Sequence, residues 1–149
     1  MIRLGTDIVY IPRIRKAYER FGDRFLKRVY TNSEQNNCGF DNGMTFTKAS
    51  TQSQYSSIVR LAGRWAAKEA VVKAIGTGWN GIGYTDVEIC RYASGEPSVA
   101  LHNRAARILA EWKEEDQQKH LNNESYQWQL SLSHDGDYAI ATAILVFVF

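Results

Sequence analysis

The run from Ile58 to Ala74, closed by Gly76-Thr77-Gly78, constrains the fold more than any other segment. At about 100° per residue, Leu61, Trp65 and Val72 cluster on one side of a helix, with Ala62 and Ala66 beside them. Such a stripe has to be buried against another element. Glu69 falls between Trp65 and Ala62, inside the stripe, and Lys73 follows one turn later on its polar side. The glycines end the helix and prolong the turn that follows.

The partners for that stripe are legible as strands. Ile2, Leu4, Thr6 and Ile8 alternate with Arg3, Gly5, Asp7 and Val9, which is period two and puts Asp7 on the face opposite Ile2, Leu4 and Ile8. Pro12 fits the first turn of a second helix, with Ile11, Ile14, Tyr18 and Phe21 at helical spacing and Gly22 as its stop. A basic stretch, Arg24 to Arg28, follows. Thr31 and Glu34 have the spacing of a capping box, with no long helix behind them. Between Asn36 and Ser57, 12 of 22 residues are Asn, Gln, Ser or Thr without periodicity, which predicts a polar flexible loop over 36–57. Thr85–Tyr92 and Ser98–His102 read as a hairpin, Asn103 as the cap of a third helix, and Trp128–Ser133 and Tyr138–Phe149 as two final strands. Three helices and about five strands predict a single α+β domain over 1–149, an antiparallel sheet packed by helices.

Composition excludes several classes. Lys and Arg number 18 against 16 Asp and Glu, an excess too small to argue by itself for nucleic acid or an anionic membrane as a partner. Two cysteines make neither a disulfide framework nor a zinc site. The N-terminal residues lack the features of a signal peptide, and the longest apolar run, Ala143–Phe149, is too short to cross a bilayer. A soluble cytoplasmic protein is expected.

Glu69 is the most informative residue for chemistry. An ionised carboxylate in an apolar stripe needs a compensating cation. Lys73 at i+4 supplies one answer and a metal ion the other, with Asp7 as a second carboxylate. Two carboxylates completed by water and phosphate oxygens suit magnesium. Arg64 and Lys68 lie one turn apart on the same helix, either as a solvated basic stripe or as phosphate partners. His134 ends a strand beside Asp135. Ser133, His134 and Asp135 cannot form a hydrolytic triad, because neighbours on a strand point to opposite faces.

Three segments together carry a resemblance: Gly5-Thr6-Asp7-Ile8-Val9, then Leu61 through Ala74 with Ala66-Ala67-Lys68-Glu69-Ala70 at its centre and Gly76-Thr77-Gly78 behind, and Leu130 to Asp135. In order and over nearly the whole chain, they resemble the small bacterial 4'-phosphopantetheinyl transferases of the holo-[acyl-carrier-protein] synthase type. The resemblance implies transfer of the phosphopantetheine arm of coenzyme A to a serine of apo acyl carrier protein in support of fatty acid biosynthesis, with release of adenosine 3',5'-bisphosphate. It implies Mg2+ bound by Asp7 and Glu69, catalysis by Glu69 and Lys73, and coenzyme A contacts from Arg64, Lys68, Lys73, Gly76, Gly78 and His134. Arg13, with Arg24 and Arg28, would dock the acidic carrier. A homotrimer with sites between subunits is implied too, and the apolar final strand through Val146, Phe147, Val148 and Phe149 suits burial at such an interface or in a monomer core. Trp65 stands where these proteins usually carry Phe, and Asp135 where they usually carry Thr or Ser.

Overall fold

A computed structural model describes residues 1–40, 51–119 and 125–148. The chain opens with strand β1 (Ile2–Tyr10) and helices α1 (Ile11–Phe21), α2 (Asp23–Val29) and α3 (Asn32–Asn37). The long helix α4 (Thr51–Ile75) follows, then a short 3-10 turn at Tyr84–Asp86, strands β2 (Val87–Arg91) and β3 (Pro97–Leu101), helix α5 (Asn103–Lys119), and strands β4 (Ser125–Asp135) and β5 (Tyr138–Val148). The α+β expectation holds, with two antiparallel sheets instead of one: β1-β5-β4 and the hairpin β2-β3.

Small residues let α4 lie directly on the larger sheet. Ala62, Ala66, Ala67, Ala70 and Ala74 are buried on the helix, and Ala139, Ala141 and Ala143 are buried on β5. β1 comes closest. A Cβ on Gly5 would sit 1.9 Å from the Ala70 carbonyl oxygen, so only glycine fits there. Beside it, Arg3 donates from Nε to Ala74 O and from Nη2 to Ile75 O, both at 2.8 Å, and so satisfies carbonyls that the helix end leaves open. These contacts fix the register of β1 along α4, and with it the position of Asp7.

The inward face of β1 therefore carries Arg3, Gly5, Asp7 and Val9. The outward face leaves Ile2 71%, Leu4 62% and Ile8 62% exposed. β5 continues that face, pairing Ile144 with Leu4, Ile140 with Ile8 and Tyr138 with Tyr10. The final strand is divided: Phe147 packs inward with Leu109 and Leu145, while Val146 lies on the outer face opposite Ile2. Phe149 lies outside the described residues.

The structure differs from the sequence reading at several elements. α2 occupies what the sequence shows only as a basic stretch; it buries Leu26 and Val29 in two turns, too few to show a period. The polar loop predicted over 36–57 is helical at both ends. α3 reaches Asn37, and α4 begins at Thr51, whose polar first turns extend an already nucleated helix. Positions 41–50 lie outside the described residues. Asn103 does not cap α5 through its side chain; its Nδ2 donates to Asp86 Oδ1 at 2.9 Å. Pro12 in the first turn of α1, the Gly22 stop and the Thr31–Glu34 capping box are as predicted.

Candidate active site

Asp7 and Glu69 line one cleft of about 410 Å³, with Ile8, Val9, Arg13, Ile14, Ala17, Phe25 and Trp65. The Gly5 contact explains how they meet: it clamps β1 to α4 one residue pair away from Asp7. Lys73 does not pair with Glu69. Its Nζ donates to Asp7 Oδ1 at 2.7 Å and to Thr6 O at 2.9 Å. Among the described residues Glu69 has no hydrogen-bond or ion-pair partner. The i+4 ion pair that spacing alone allows is therefore not formed, and a half-buried carboxylate is left facing the cleft beside a second one.

Two carboxylates are the protein's share of a hard-cation site. No group of three or more His, Cys, Asp or Glu among the described residues could hold a metal by itself. A donor set of two oxygens, open to a cleft, fits magnesium, which usually takes one or two carboxylates and completes its shell from water and substrate phosphate.

A second cleft of about 480 Å³ continues from the first. It shares Ala17, Phe25 and Trp65 and adds Phe21, Arg24, Arg28, Val29 and Tyr84. Trp65 stands between the two, stacked on Tyr84 at 5.3 Å and on Phe25 at 6.2 Å between ring centroids. Arg13, Arg24 and Arg28 are all exposed at these clefts. The three arginines expected to dock a carrier thus flank the carboxylates along α1 and α2.

Arg64 and His134 are not brought to this cleft. They line a separate pocket of about 470 Å³ with Val59, Arg60, Gly63, Arg91, Leu132 and Ser133. Five residues separate Arg64 from Glu69, a rotation of about 140° around the helix. His134 continues the inward series Trp128, Leu130, Leu132 of β4, and Asp135 does not line the pocket. Arg64 is only 3% exposed, and its Nε has no hydrogen-bond partner among the described residues.

Lys68 departs from expectation. It shares a face with Arg64 but is 0% exposed. Its ammonium donates to Glu34 Oε2 and Tyr84 O, both at 2.9 Å, and to Val87 O. Those three acceptors use every N–H it has, so in this arrangement Lys68 offers nothing to a phosphate. Burial pulls its pKa below the ordinary 10.5, and Glu34 opposes that shift. Glu34 is likewise filled, accepting from Thr31 N and Ile89 N at 2.9 Å. Gly76 and Gly78 are exposed just past the end of α4, both at positive φ; neither lines the carboxylate cleft. Sequence reasoning missed Arg60, Arg91, Phe25 and Tyr84 as lining residues. Only Phe25 and Arg60 had a signal, in their helical offset from Val29 and Arg64.

Residues 3–143 match the description of the 4'-phosphopantetheinyl transferase superfamily. The chain belongs to this superfamily. Within it, the chain is 45% identical over 147 residues to a holo-[acyl-carrier-protein] synthase of Gloeobacter violaceus, covering 99% of this chain and 94% of that protein. A holo-[acyl-carrier-protein] synthase of Koribacter versatilis is 38% identical over 142 residues, with 95% and 94% covered. Among solved transferase structures, a Chronobacterium ammoniagenes ACPS-CoA complex superposes with a TM-score of 0.72 at 26% identity, over 100% of this chain and 99% of that one. Helicobacter pylori holo-[acyl-carrier-protein] synthase in complex with coenzyme A gives 0.68 at 27% identity, over 96% and 99%.

Proposed function

We propose that this chain is a holo-[acyl-carrier-protein] synthase: it moves 4'-phosphopantetheine from coenzyme A to a serine of apo acyl carrier protein, in a Mg2+-dependent reaction of the cytoplasm. The observation that carries the reading is the meeting of Asp7 and Glu69 in one cleft, with Lys73 on Asp7. The serine hydroxyl attacks the phosphorus that bears the pantetheine arm. The bond to the bridging oxygen breaks, and adenosine 3',5'-bisphosphate leaves.

Asp7 and Glu69 would hold the magnesium, which when bound supplies positive charge to the diphosphate. Lys73 adds a cation where charge accumulates on the leaving phosphate, and its half-exposed side chain is free to turn from Asp7 to that group. The serine proton has to leave, and the acceptor we assign to it is Glu69 acting through a water. Arg13, Arg24 and Arg28 attract an acidic carrier and orient it over the clefts. Arg64 and His134 hold the nucleotide from their own pocket.

The active unit is a homotrimer of one-domain chains. Two features support it: the outer face of β1 and β5 gathers the exposed Ile2, Leu4, Ile8, Tyr138 and Ile140 on one side of the sheet, and the two half-sites face different sides of α4. Among the described residues no helix is long and apolar enough to cross a membrane. The direct test is mass spectrometry of an apo carrier incubated with the enzyme, coenzyme A and Mg2+. A gain of one phosphopantetheine supports the reading; an unmodified carrier under conditions where coenzyme A binds contradicts it.

A further inference from the structure

Lys68 and Glu34 form an ion pair with almost no exposure on either side chain, and the transfer chemistry uses neither of them. A pair buried so completely gains little stability over apolar side chains of the same volume, because both charges lose their hydration. Its value lies in where it holds its partners. The Lys68 ammonium donates to Tyr84 O at 2.9 Å and to Val87 O. It thereby grips the 3-10 turn Tyr84–Asp86 at its first residue and just past its last. Glu34 Oε1 accepts from Ile89 N at 2.9 Å and carries the grip into β2. The segment leading to the turn has Gly76, Gly78 and Gly81 at positive φ, so backbone preference there is weak and the turn depends on such ties.

The turn matters for the ring it carries. The Tyr84 ring lines the cleft of Arg24 and Arg28 and stacks on Trp65 at 5.3 Å, and Trp65 lines both that cleft and the one that holds Asp7 and Glu69. We propose that Lys68 and Glu34 are positioning residues for carrier use: through the Tyr84 carbonyl they hold the Tyr84 ring against Trp65 and so set the wall of the cleft over which the carrier docks. The inference rests on the transferase reading above. Both side chains are buried away from any substrate, so their effect on the carrier has to pass through Tyr84. β2, which Glu34 also holds, carries Arg91 of the arginine pocket. A general loosening of the fold would therefore weaken coenzyme A and carrier alike, whereas loss of the Tyr84 wall weakens the carrier alone.

The test starts from Glu34→Gln, which removes the charge and keeps the size, assayed below its melting transition. The KM for apo carrier rises about tenfold, the loss of one well-placed contact, while the KM for coenzyme A stays within about twofold. Glu34→Asp, which keeps the charge and shortens the reach, gives the same split in weaker form. Tyr84→Ala, whose backbone still meets Lys68, raises the carrier KM by a similar factor. Combined with Glu34→Gln it leaves the total near about tenfold instead of about a hundredfold, because both changes remove the same wall. Equal rises for carrier and coenzyme A, effects that multiply, or an unchanged carrier KM overturn the proposal. Fluorotryptophan labelling reads the wall without turnover. The Trp65 resonance, assigned by its loss in Trp65→Phe, moves in Glu34→Gln as it does in Tyr84→Ala; a resonance that stays in place in Glu34→Gln overturns the proposal as well. A wild type that modifies no carrier, while that resonance still moves, would sink the transferase reading and leave the hold of Lys68 and Glu34 on Tyr84 standing.

Discussion

Glu69 is exposed to the cleft because Lys73, its natural partner by spacing, is drawn across to Asp7 on another element. Asp7→Ala or Glu69→Ala should therefore lower the transfer rate by about a thousandfold or more, the scale at which preorganised charge acts in a transition state, with the thermal melting point little changed. Near wild-type rates at saturating Mg2+ in either variant would remove that residue from the metal site. Cys38 allows a prediction about stability. Burial pushes its thiol from 9.0 up to about 11, with Arg64 opposing the rise and Glu34 adding to it. The folded protein keeps this proton where the unfolded chain releases it, so the stability it confers is present below pH 9 and lost as the pH climbs toward 11. Melting temperatures should fall across that range, and less steeply in Cys38→Ala. A parallel fall in both proteins would show that Cys38 does not titrate with folding. The carboxylates were legible in the sequence because a charged residue inside an apolar stripe contradicts its surroundings. The fate of Lys68 was not, because its partner Glu34 lies 34 residues away and only the packing of α3 on β2 brings it near.

β1 and α4 build the site between them, and Gly5 sets their spacing. Gly5→Ala would force a Cβ against the Ala70 backbone and push the strand outward. The cost is about 1–3 kcal/mol of stability, as for other overpacked cores. Asp7 moves with the strand, so transfer should fall more than the lost stability explains; urea denaturation and steady-state rates on the same sample compare the two. The Lys68–Glu34 pair fastens the other side of α4 to α3 and β2. Lys68→Met leaves a buried carboxylate with two backbone donors and no cation, at a cost of about 3–5 kcal/mol in the same denaturation experiment. A loss under 1 kcal/mol would mean the pair is dispensable. Alternation made the strands readable because side chains on a pleat strictly change faces. Short helices such as α2 carry no comparable period, and the polar start of α4 is helical only because the apolar part behind it is.

For the whole molecule, the outer face of β1 and β5 is the feature that one chain does not resolve. Alternation showed that Ile2, Leu4 and Ile8 share a face, but not that the alanines of β5 and α4 would claim the other. Buried among copies, this face should give a sedimenting species of three chains, and Leu4→Arg, on the same outer face and outside the cleft, should yield monomers with little transfer; a wild type that sediments as one chain at assay concentration would contradict the assembly. In the proposed trimer, one coenzyme A held between neighbouring copies would join the two half-sites, the carboxylate cleft and the arginine pocket. The most direct test of this sharing is transfer by co-expressed Glu69→Ala and Arg64→Met chains, each inactive alone. If neighbouring copies share each site, random mixing leaves about one interface in four with both halves intact, and about a quarter of wild-type activity returns. If each chain builds its site alone, every site in the mixture is broken, activity stays at the level of the single variants, and the account is wrong.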